Sequence, residues 1–192
     1  KYKELVRRNL RKCMLESLSL EPNDIARVVY NLYKNEFVCY SAKKNSWYQF
    51  KNHRWIEIDD AIDLRKRLSS EVIHEYDMLD RHLSDQIAQL TDEDEKDIKR
   101  KKKETIGKII KQLKRTSFKK SVVQECNELF HDSKFEERLD KNLNLIGFEN
   151  GIYDLEQEEF RDGLPEDYLS YSTKISYYDH DDDDEDIEQV KE

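Results

Sequence analysis

The sequence predicts an α+β fold that is mainly α-helical, with a helical body, a long helical hairpin, a small antiparallel β-meander and a C-terminal β-hairpin. Apolar residues recur at steps of three and four over most of the chain, which indicates amphipathic helices. Aromatic and β-branched runs between residues 37 and 58 are separated by short polar turns, which indicates three strands. Asn150-Gly151 separates two further apolar runs and predicts the hairpin.

Two helices open the chain. The first presents one apolar face, formed by Leu5, Val6, Leu10, Met14, Leu15 and Leu18. Pro22 is expected to end this element, and Asn23 or Asp24 to cap the next. The apolar residues of the second helix also recur at helical spacing: Ile25, Val28, Val29, Leu32 and Tyr33.

The meander is predicted from three β-rich runs, Phe37–Tyr40, Trp47–Phe50 and Trp55–Ile58. Two interpretations of its aromatic residues remain open. Alternate members could fill a core between the meander and the helices, or exposed members could stack on nucleic-acid bases. The aromatic residues in question are Trp47, Tyr48, Phe50 and Trp55.

A long helix capped by Asp59 or Asp60 is predicted next. Its narrow apolar stripe suits an antiparallel helix pair, and comprises Leu64, Leu68, Val72, Tyr76, Leu79, Leu83, Ile87 and Leu90. Thr91–Asp94 is interpreted as a connection and N-cap, with acidic residues that favour the positive end of the next helix dipole. The return helix runs to about Thr116, so we expect a projecting helical hairpin with lysines near its tip and on one flank.

Shorter elements complete the chain. A helix is expected from Ser117 and a brief one at Phe135–Leu139. Asn150-Gly151 can supply the left-handed backbone of a tight turn, after which 152–155 and Phe160 form a strand pair. A Pro-led turn, residues 165–167, follows the strand pair.

Composition excludes several classes of function. With 192 residues, 36% hydrophobic and 40% charged, the chain can bury one core or two small ones. No apolar run approaches the roughly 20 residues of a membrane span. The glycines lack phosphate-loop spacing and the histidines do not cluster with cysteines, so no catalytic, cofactor or metal site is expected. The three cysteines are far apart, which predicts free thiols and an intracellular, reducing location.

Charge is segregated along the chain, although the net charge is -9. Residues 95–120 contain twelve basic and three acidic side chains, whereas 179–192 contain nine acidic side chains and one lysine. We interpret 179–192 as a solvated acidic linker or tail, although His180 with Asp181–Asp184 could bind a divalent ion weakly.

The basic segment at 92–116 is the candidate site. If its side chains contact DNA phosphates, binding should be independent of sequence and should weaken steeply with salt. The other interpretation is a solvated helix face. The candidate residues are Lys99, Arg100, Lys101, Lys102, Lys103, Lys108, Lys111, Lys114 and Arg115.

Two blocks of sequence resemble a known family. Residues 148–173 combine Asn150-Gly151, an apolar pair, Asp154-Leu155, an aromatic return strand, an acidic proline turn and Ser172-Thr173. Residues 24–58 add an opening helix and an aromatic hairpin. Together the blocks cover about a third of the chain and resemble the N-terminal helicase-associated domain of viral and phage primase-helicases, the poxvirus and giant-virus NTPase-primase type that precedes a superfamily 3 helicase motor.

The resemblance implies that 1–178 is an accessory, collar-like domain of a viral DNA replication protein. It would aid hexamer assembly and guide single-stranded or forked DNA to the ATPase motor, and would contact other replication proteins at the host cytoplasm or viral replication site. The chain then looks like a piece of a longer protein, with a primase before Lys1 and a motor beyond Glu192 that holds ATP and Mg. The alternative is a protein-interaction scaffold that docks a replication partner through the stripe from Leu68 to Leu90 and does not bind DNA.

Overall fold

The computed structural model describes residues 2–179, and side chains from residue 6 onward within that range. The chain forms two compact units. One is built from residues up to Gln49 together with Glu57–Glu136, and the other from Phe50–Ile56 together with residues from Glu137 onward. The predicted acidic segment lies, apart from Asp179, outside the described residues. Its separation from 1–178 stays a prediction.

The predicted mainly helical α+β class is confirmed. In chain order the elements are α1 (Tyr2–Glu16), α2 (Pro22–Tyr33), β1 (Phe37–Ser41), β2 (Ser46–Lys51), β3 (Arg54–Asp59), α3 (Ile62–Leu68), α4 (Glu71–Gln89), α5 (Glu93–Leu113), α6 (Thr116–Leu129), α7 (Phe135–Arg138), β4 (Leu145–Phe148), β5 (Gly151–Asp154) and β6 (Glu159–Arg161). Short 3-10 turns occur at Ser17–Ser19 and Pro165–Asp167. None of these helices is long and apolar enough to cross a membrane.

The start of the predicted long helix differs from expectation. Ala61, in a left-handed conformation with φ of 43°, is the N-cap of α3, and no side chain caps the helix. Asp60 instead accepts a hydrogen bond from Asn45 at 2.5 Å and pairs with Arg65 at 3.0 Å. The predicted cap at Asp59 or Asp60 is therefore wrong, because Asn45, from the turn between β1 and β2, and Arg65 of α3 itself use the Asp60 carboxylate. Ser69 and Ser70 also divide the predicted helix into α3 and α4.

Helix pairing builds the core of the first unit. α2 packs on α6 and α4 packs on α5, as the predicted helical hairpin requires. Their apolar stripes meet the inner face of the meander, where Phe37, Cys39 and Trp47 are buried. The buried members of the helical stripes include Ile25, Val28, Val29, Leu64, Leu68, Val72, Tyr76, Ile106, Ile109, Leu113, Val122 and Cys126.

One polar network lies inside this core. Ser17 Oγ donates to the carbonyl oxygen of Met14 at 2.7 Å and lies 2.6 Å from the Tyr76 hydroxyl. A serine hydroxyl has a single proton, so Tyr76 must be the donor in the second bond. Both Ser17 and Tyr76 are fully buried. The network therefore fixes the segment that follows α1 against α4.

The first sheet has the strand order β1-β2-β3. β1 and β2 are antiparallel, with Phe37 opposite Gln49 and Cys39 opposite Trp47. The outer edge of β1 is covered, because the Cys39 amide donates to the carbonyl oxygen of Phe130 and the Asp132 amide donates to that of Cys39, both at 3.0 Å. Chain segments distant in sequence thus satisfy backbone groups that an edge strand would leave open.

The second unit contains an antiparallel sheet of order β4-β5-β6. Phe148 pairs with Gly151, so Glu149 and Asn150 form the turn and Gly151 begins β5. Neither Asn150 nor Gly151 has a positive φ, so the predicted left-handed turn is wrong. A Cβ on Gly151 would lie 2.5 Å from Phe160 Cζ and 2.7 Å from the Arg161 carbonyl oxygen. Close approach of β6 is what requires glycine here.

Candidate nucleic-acid interface

Local sequence chemistry starts the helix that carries the candidate site. The Asp92 side chain accepts hydrogen bonds from the backbone amides of Asp94 at 2.8 Å and Glu95 at 3.2 Å. Acidic residues fill the first turn of α5, where the positive end of the helix dipole stabilises them. The predicted N-cap is confirmed, and the lysines that follow are held on a regular helix.

The buried face of α5 decides where those lysines point. Ile106, Ile109 and Leu113 are fully buried and follow one another at steps of three and four. They form the contact surface of α5 within the first unit. The nine candidate side chains must therefore occupy the flanks and the outer face of α5 and the residues that follow its end.

Two of the candidate lysines lie against α4. Lys99 Nζ donates to Gln86 Oε1 at 2.8 Å. Lys103 Nζ lies 3.3 Å from Asp80 Oδ2 and also donates to Ser84 Oγ. Both cations are used to join the two helices, so they offer less to an external phosphate than the sequence suggested.

Arg100 is exposed but paired with acidic side chains. Its Nη1 lies 2.6 Å from Asp97 Oδ1 and 3.4 Å from Glu93 Oε2. The hydrogen bond to Asp97 raises the pKa of Arg100, and the hydrogen bond from Lys96 lowers the pKa of Glu93. These acids reduce the positive potential over this turn of α5.

Three further lysines of α5 form an exposed group. Lys101 and Lys108 are seven residues apart, so they lie within about 20° of each other around the helix axis, and Lys111 lies about 60° further round. All three are exposed and make no ion pair with any described side chain. Glu104 lies between them on the same face and is also exposed. We call Lys101, Lys108 and Lys111 the outer lysine group.

The other three candidate residues do not belong to the outer lysine group. Lys102 is half-buried. Lys114 is the exposed C-cap of α5, and Arg115 is the exposed N-cap of α6, with Nη1 3.4 Å from Gln112 Oε1. The structure thus brings the nine predicted residues onto one helix and its end, but places them in different directions.

Burial distinguishes between the two interpretations of the aromatic residues of the meander, core packing and base stacking. In the first unit Trp47 is fully buried, and Tyr48 is half-buried with its hydroxyl 3.3 Å from Glu136. In the second unit Trp55 is buried, donates its Nε1–H to the Pro165 carbonyl oxygen at 2.8 Å, and packs against Phe50 with ring centroids 5.5 Å apart. The two tryptophans are core residues and are not available for base stacking.

A second concentration of basic side chains was not singled out from the sequence. Arg7 and Arg11 on α1, with His74, Arg81 and His82 on α4, line a groove in the first unit. The spacing of four on α1, and of seven and eight on α4, was the available signal. Nothing in either helix sequence indicates that the two faces meet. Among residues 2–179 no group of three or more His, Cys, Asp or Glu side chains is arranged to hold a metal ion.

Comparison with known proteins identifies the class. A family model described as D5 N terminal like matches residues 26–192, most of the chain. The chain therefore belongs to the D5 N-terminal-like family, in agreement with the resemblance seen in its two sequence blocks.

Individual relatives are viral proteins. The chain is 38% identical to "Putative helicase L207/L206" of Acanthamoeba polyphaga mimivirus, over 99% of this chain and 20% of that protein. It is 29% identical to "Putative helicase 022R" of Frog virus 3, over 85% of this chain and 20% of that protein. It is 28% identical to "Putative helicase 121R" of Invertebrate iridescent virus 3, over 90% and 20% respectively. The chain spans about a fifth of the length of these relatives, and corresponds to an N-terminal domain of such viral proteins.

Proposed function

We propose that this chain is an accessory domain of a viral replicative helicase that guides DNA toward the motor and aids assembly of its hexameric ring. The observation that carries the DNA-guiding role is the outer lysine group, whose cations are exposed and make no ion pair with described side chains. The names of the relatives supply the helicase context.

The expected binding mode follows from the chemistry of the group. Lysine ammonium groups contact phosphates as point charges and carry no base information. Binding should therefore be independent of sequence, and each phosphate contact should release counterions and add to the salt dependence. Glu104 within the group favours a moderate affinity, as suits DNA that must move across the surface.

The scaffold alternative needs an exposed apolar stripe on the long helix pair. The first members of that stripe, Leu68, Val72, Tyr76, Leu79 and Leu83, are buried within the first unit. They already contact the core and offer little surface to a replication partner. This burial favours the DNA-guiding proposal over the scaffold.

The test is fluorescence anisotropy of labelled single-stranded and forked DNA with the 192-residue chain at several salt concentrations. The test variant combines Lys101→Glu, Lys108→Glu and Lys111→Glu, which leaves the Lys99 and Lys103 hydrogen bonds intact. We expect the slope of log affinity against log salt to fall by about 2, because each lysine–phosphate pair on a single strand accounts for about 0.7 of that slope.

The matched control reverses three exposed lysines of the meander, Lys43, Lys44 and Lys51, and so changes the net charge equally. An equal loss of binding in both variants would mean that only net charge matters. Absence of binding by the unaltered chain at low salt would remove the DNA-guiding role.

The assembly role is tested by sedimentation velocity of the mimivirus relative with and without the segment matching this chain. A hexamer that forms equally well without the segment would remove that role.

A further inference from the structure

A basic groove lies between α1 and α4, apart from the outer lysine group. Its volume is about 520 Å³. Arg7, Leu10 and Arg11 of α1 form one wall, and the other wall is a stripe of α4 at helical spacing: His74, Glu75, Met78, Leu79, Arg81, His82 and Asp85. The buried side chain of Met14 lies at the base. We call this feature the α1–α4 groove.

The arginines of the groove have no ionic partner among the side chains that the structure describes. Arg7, Arg11 and Arg81 are exposed and make no ion pair with any described side chain, although Glu75 and Asp85 line the same groove. Arg7 and Arg11 stand four residues apart on one helix face, where like charges repel. Three guanidinium groups without an ionic partner among the described side chains, on two facing walls, suit an anion, because guanidinium binds phosphate and carboxylate in a bidentate manner.

The other lining residues distinguish between the two kinds of anion. Met78 is 48% exposed and, with Leu10, provides apolar surface beside the arginines. Glu75 and Asp85 repel any anion, but their carboxylates can accept hydrogen bonds from the amino groups of bases, which an acidic peptide lacks. A nucleotide offers phosphate, apolar ring faces and amino donors together. The groove has the size of a small-molecule site of about 300–1,000 Å³, which suits a few nucleotides of a single strand and not a duplex.

One contact links the groove to the basic segment of α5. Gln86 Oε1 accepts from Lys99, which can only donate, so Gln86 presents its amide nitrogen to His82 Nε2 at 3.0 Å. His82 Nε2 must then accept, and its proton lies on Nδ1. Lys99, which stands in the sequence among the candidate DNA ligands, thereby positions a side chain of the groove wall.

We propose that the α1–α4 groove binds the phosphodiester backbone of single-stranded nucleic acid, with Arg7 and Arg11 on one wall and Arg81 on the other as phosphate ligands. The inference rests on the proposed role of the chain in handling DNA and gives that role a second contact site. In this proposal the groove accounts for a preference for single strands over duplexes. The outer lysine group adds phosphate contacts that single strands and duplexes share.

The experiment compares two variants of the full chain that remove equal charge from α1. Arg7→Gln with Arg11→Gln alters the groove. Arg8→Gln with Lys12→Gln alters exposed residues of the same helix that do not line it. Glutamine has a helix propensity close to that of the residues replaced, so circular dichroism and melting curves should match. Labelled oligothymidine, mixed-sequence single strands and duplexes of equal length are titrated by anisotropy.

We expect the groove variant to weaken single-strand binding by about tenfold and to lower the salt slope by about 1.4, with the control near the unaltered chain. Arg81→Gln, on the opposite wall, should weaken binding in the same direction. Equal behaviour of groove and control variants, or no effect of Arg81→Gln, would overturn the inference. So would equal loss of duplex and single-strand affinity.

Separate arms keep this result distinct from the proposed function. If DNA binding is weakened only in the variant of the outer lysine group, the proposed function stands and the groove inference falls. If the groove variant binds a labelled polyaspartate peptide more weakly than the unaltered chain does, but binds DNA equally well, the groove is a site for acidic peptides and the inference is overturned. If the unaltered chain binds no DNA, both fall.

Discussion

Lys103 Nζ lies 3.3 Å from the Asp80 carboxylate, so a lysine from the middle of the basic segment joins α5 to α4. Its side chain is 29% exposed and that of Asp80 is 35% exposed. The pair is partly shielded from water, and Lys103 also donates to Ser84. Lys103 is therefore a structural cation in a segment whose composition alone suggests a uniform DNA-binding surface.

Lys103→Glu should lower the free energy of unfolding by about 1 kcal/mol, because two carboxylates then face each other in a partly solvated position. For a chain of this size the melting temperature should fall by about 2–4 °C. Differential scanning calorimetry measures this change. Lys101→Glu, on the exposed face of the same helix, is the control and should change the melting temperature little. If Asp80→Lys combined with Lys103→Glu restores no stability, the pair does not couple.

Tyr76→Phe should cost about 1–3 kcal/mol of unfolding free energy, because it leaves the buried Ser17 oxygen without its donor while keeping the ring. Urea denaturation followed by circular dichroism measures the loss. Tyr40→Phe removes an exposed hydroxyl that donates to Glu57 and should be nearly neutral. Similar small effects of both substitutions would contradict the assigned direction of the Tyr76 bond.

Substitution by alanine should change the stability in opposite directions at two of the glycines. Gly151→Ala should destabilise the second unit by about 1–3 kcal/mol, since its Cβ would meet the backbone oxygen of Arg161 at 2.7 Å. Gly107, within α5, has open space where a methyl group would stand, with nothing within 4 Å. Gly107→Ala should therefore stabilise the helix by about 0.5–1 kcal/mol. Melting curves of the two variants should move in opposite directions, and a shared direction would show that packing does not decide the difference.

Alkaline pH should destabilise the first unit, because its buried thiols hold their protons more tightly than the thiols of the unfolded chain do. Burial raises the pKa of the Cys39 thiol from its ordinary value of 9.0 to about 11, and burial also raises the pKa of Cys126. The unfolded chain then loses these protons first. The contribution of each protonated thiol to the free energy of unfolding is fully present below about pH 9. For Cys39 this contribution, about 2–3 kcal/mol, is lost as the pH rises toward 11.

The measurement is the urea midpoint at about pH 8, 9, 10 and 11, a series that spans the ordinary and the raised thiol pKa. Cys39→Ala should be less stable than the unaltered chain at the lowest pH but should lose less stability as the pH rises. An unchanged pH slope in this variant would contradict the role given to the thiol. Both cysteines should also resist a thiol reagent at about pH 8 until urea is added, because only the thiolate reacts.

Sequence reasoning succeeded where the signal is local. The meander, the helix pair and the Asp92 cap follow from period, turn residues and backbone hydrogen bonding within a few positions. It was wrong where a distant group intervenes. Asp60 does not cap α3 because Asn45 and Arg65 hold its carboxylate, and Gly151 is required by the approach of β6 and not by its own φ.

By itself the sequence determined the order of helices and strands, the charged segments and the resemblance to the family, because periodicity, composition and motif spacing are properties of the linear chain. Only the tertiary structure decided that Lys99 and Lys103 contact α4 while Lys101, Lys108 and Lys111 stay exposed. It alone brought the arginines of α1 and α4 to one groove. The physical reason is that the buried face of a helix is selected by its packing partner, so the direction of each cation depends on residues far away in sequence.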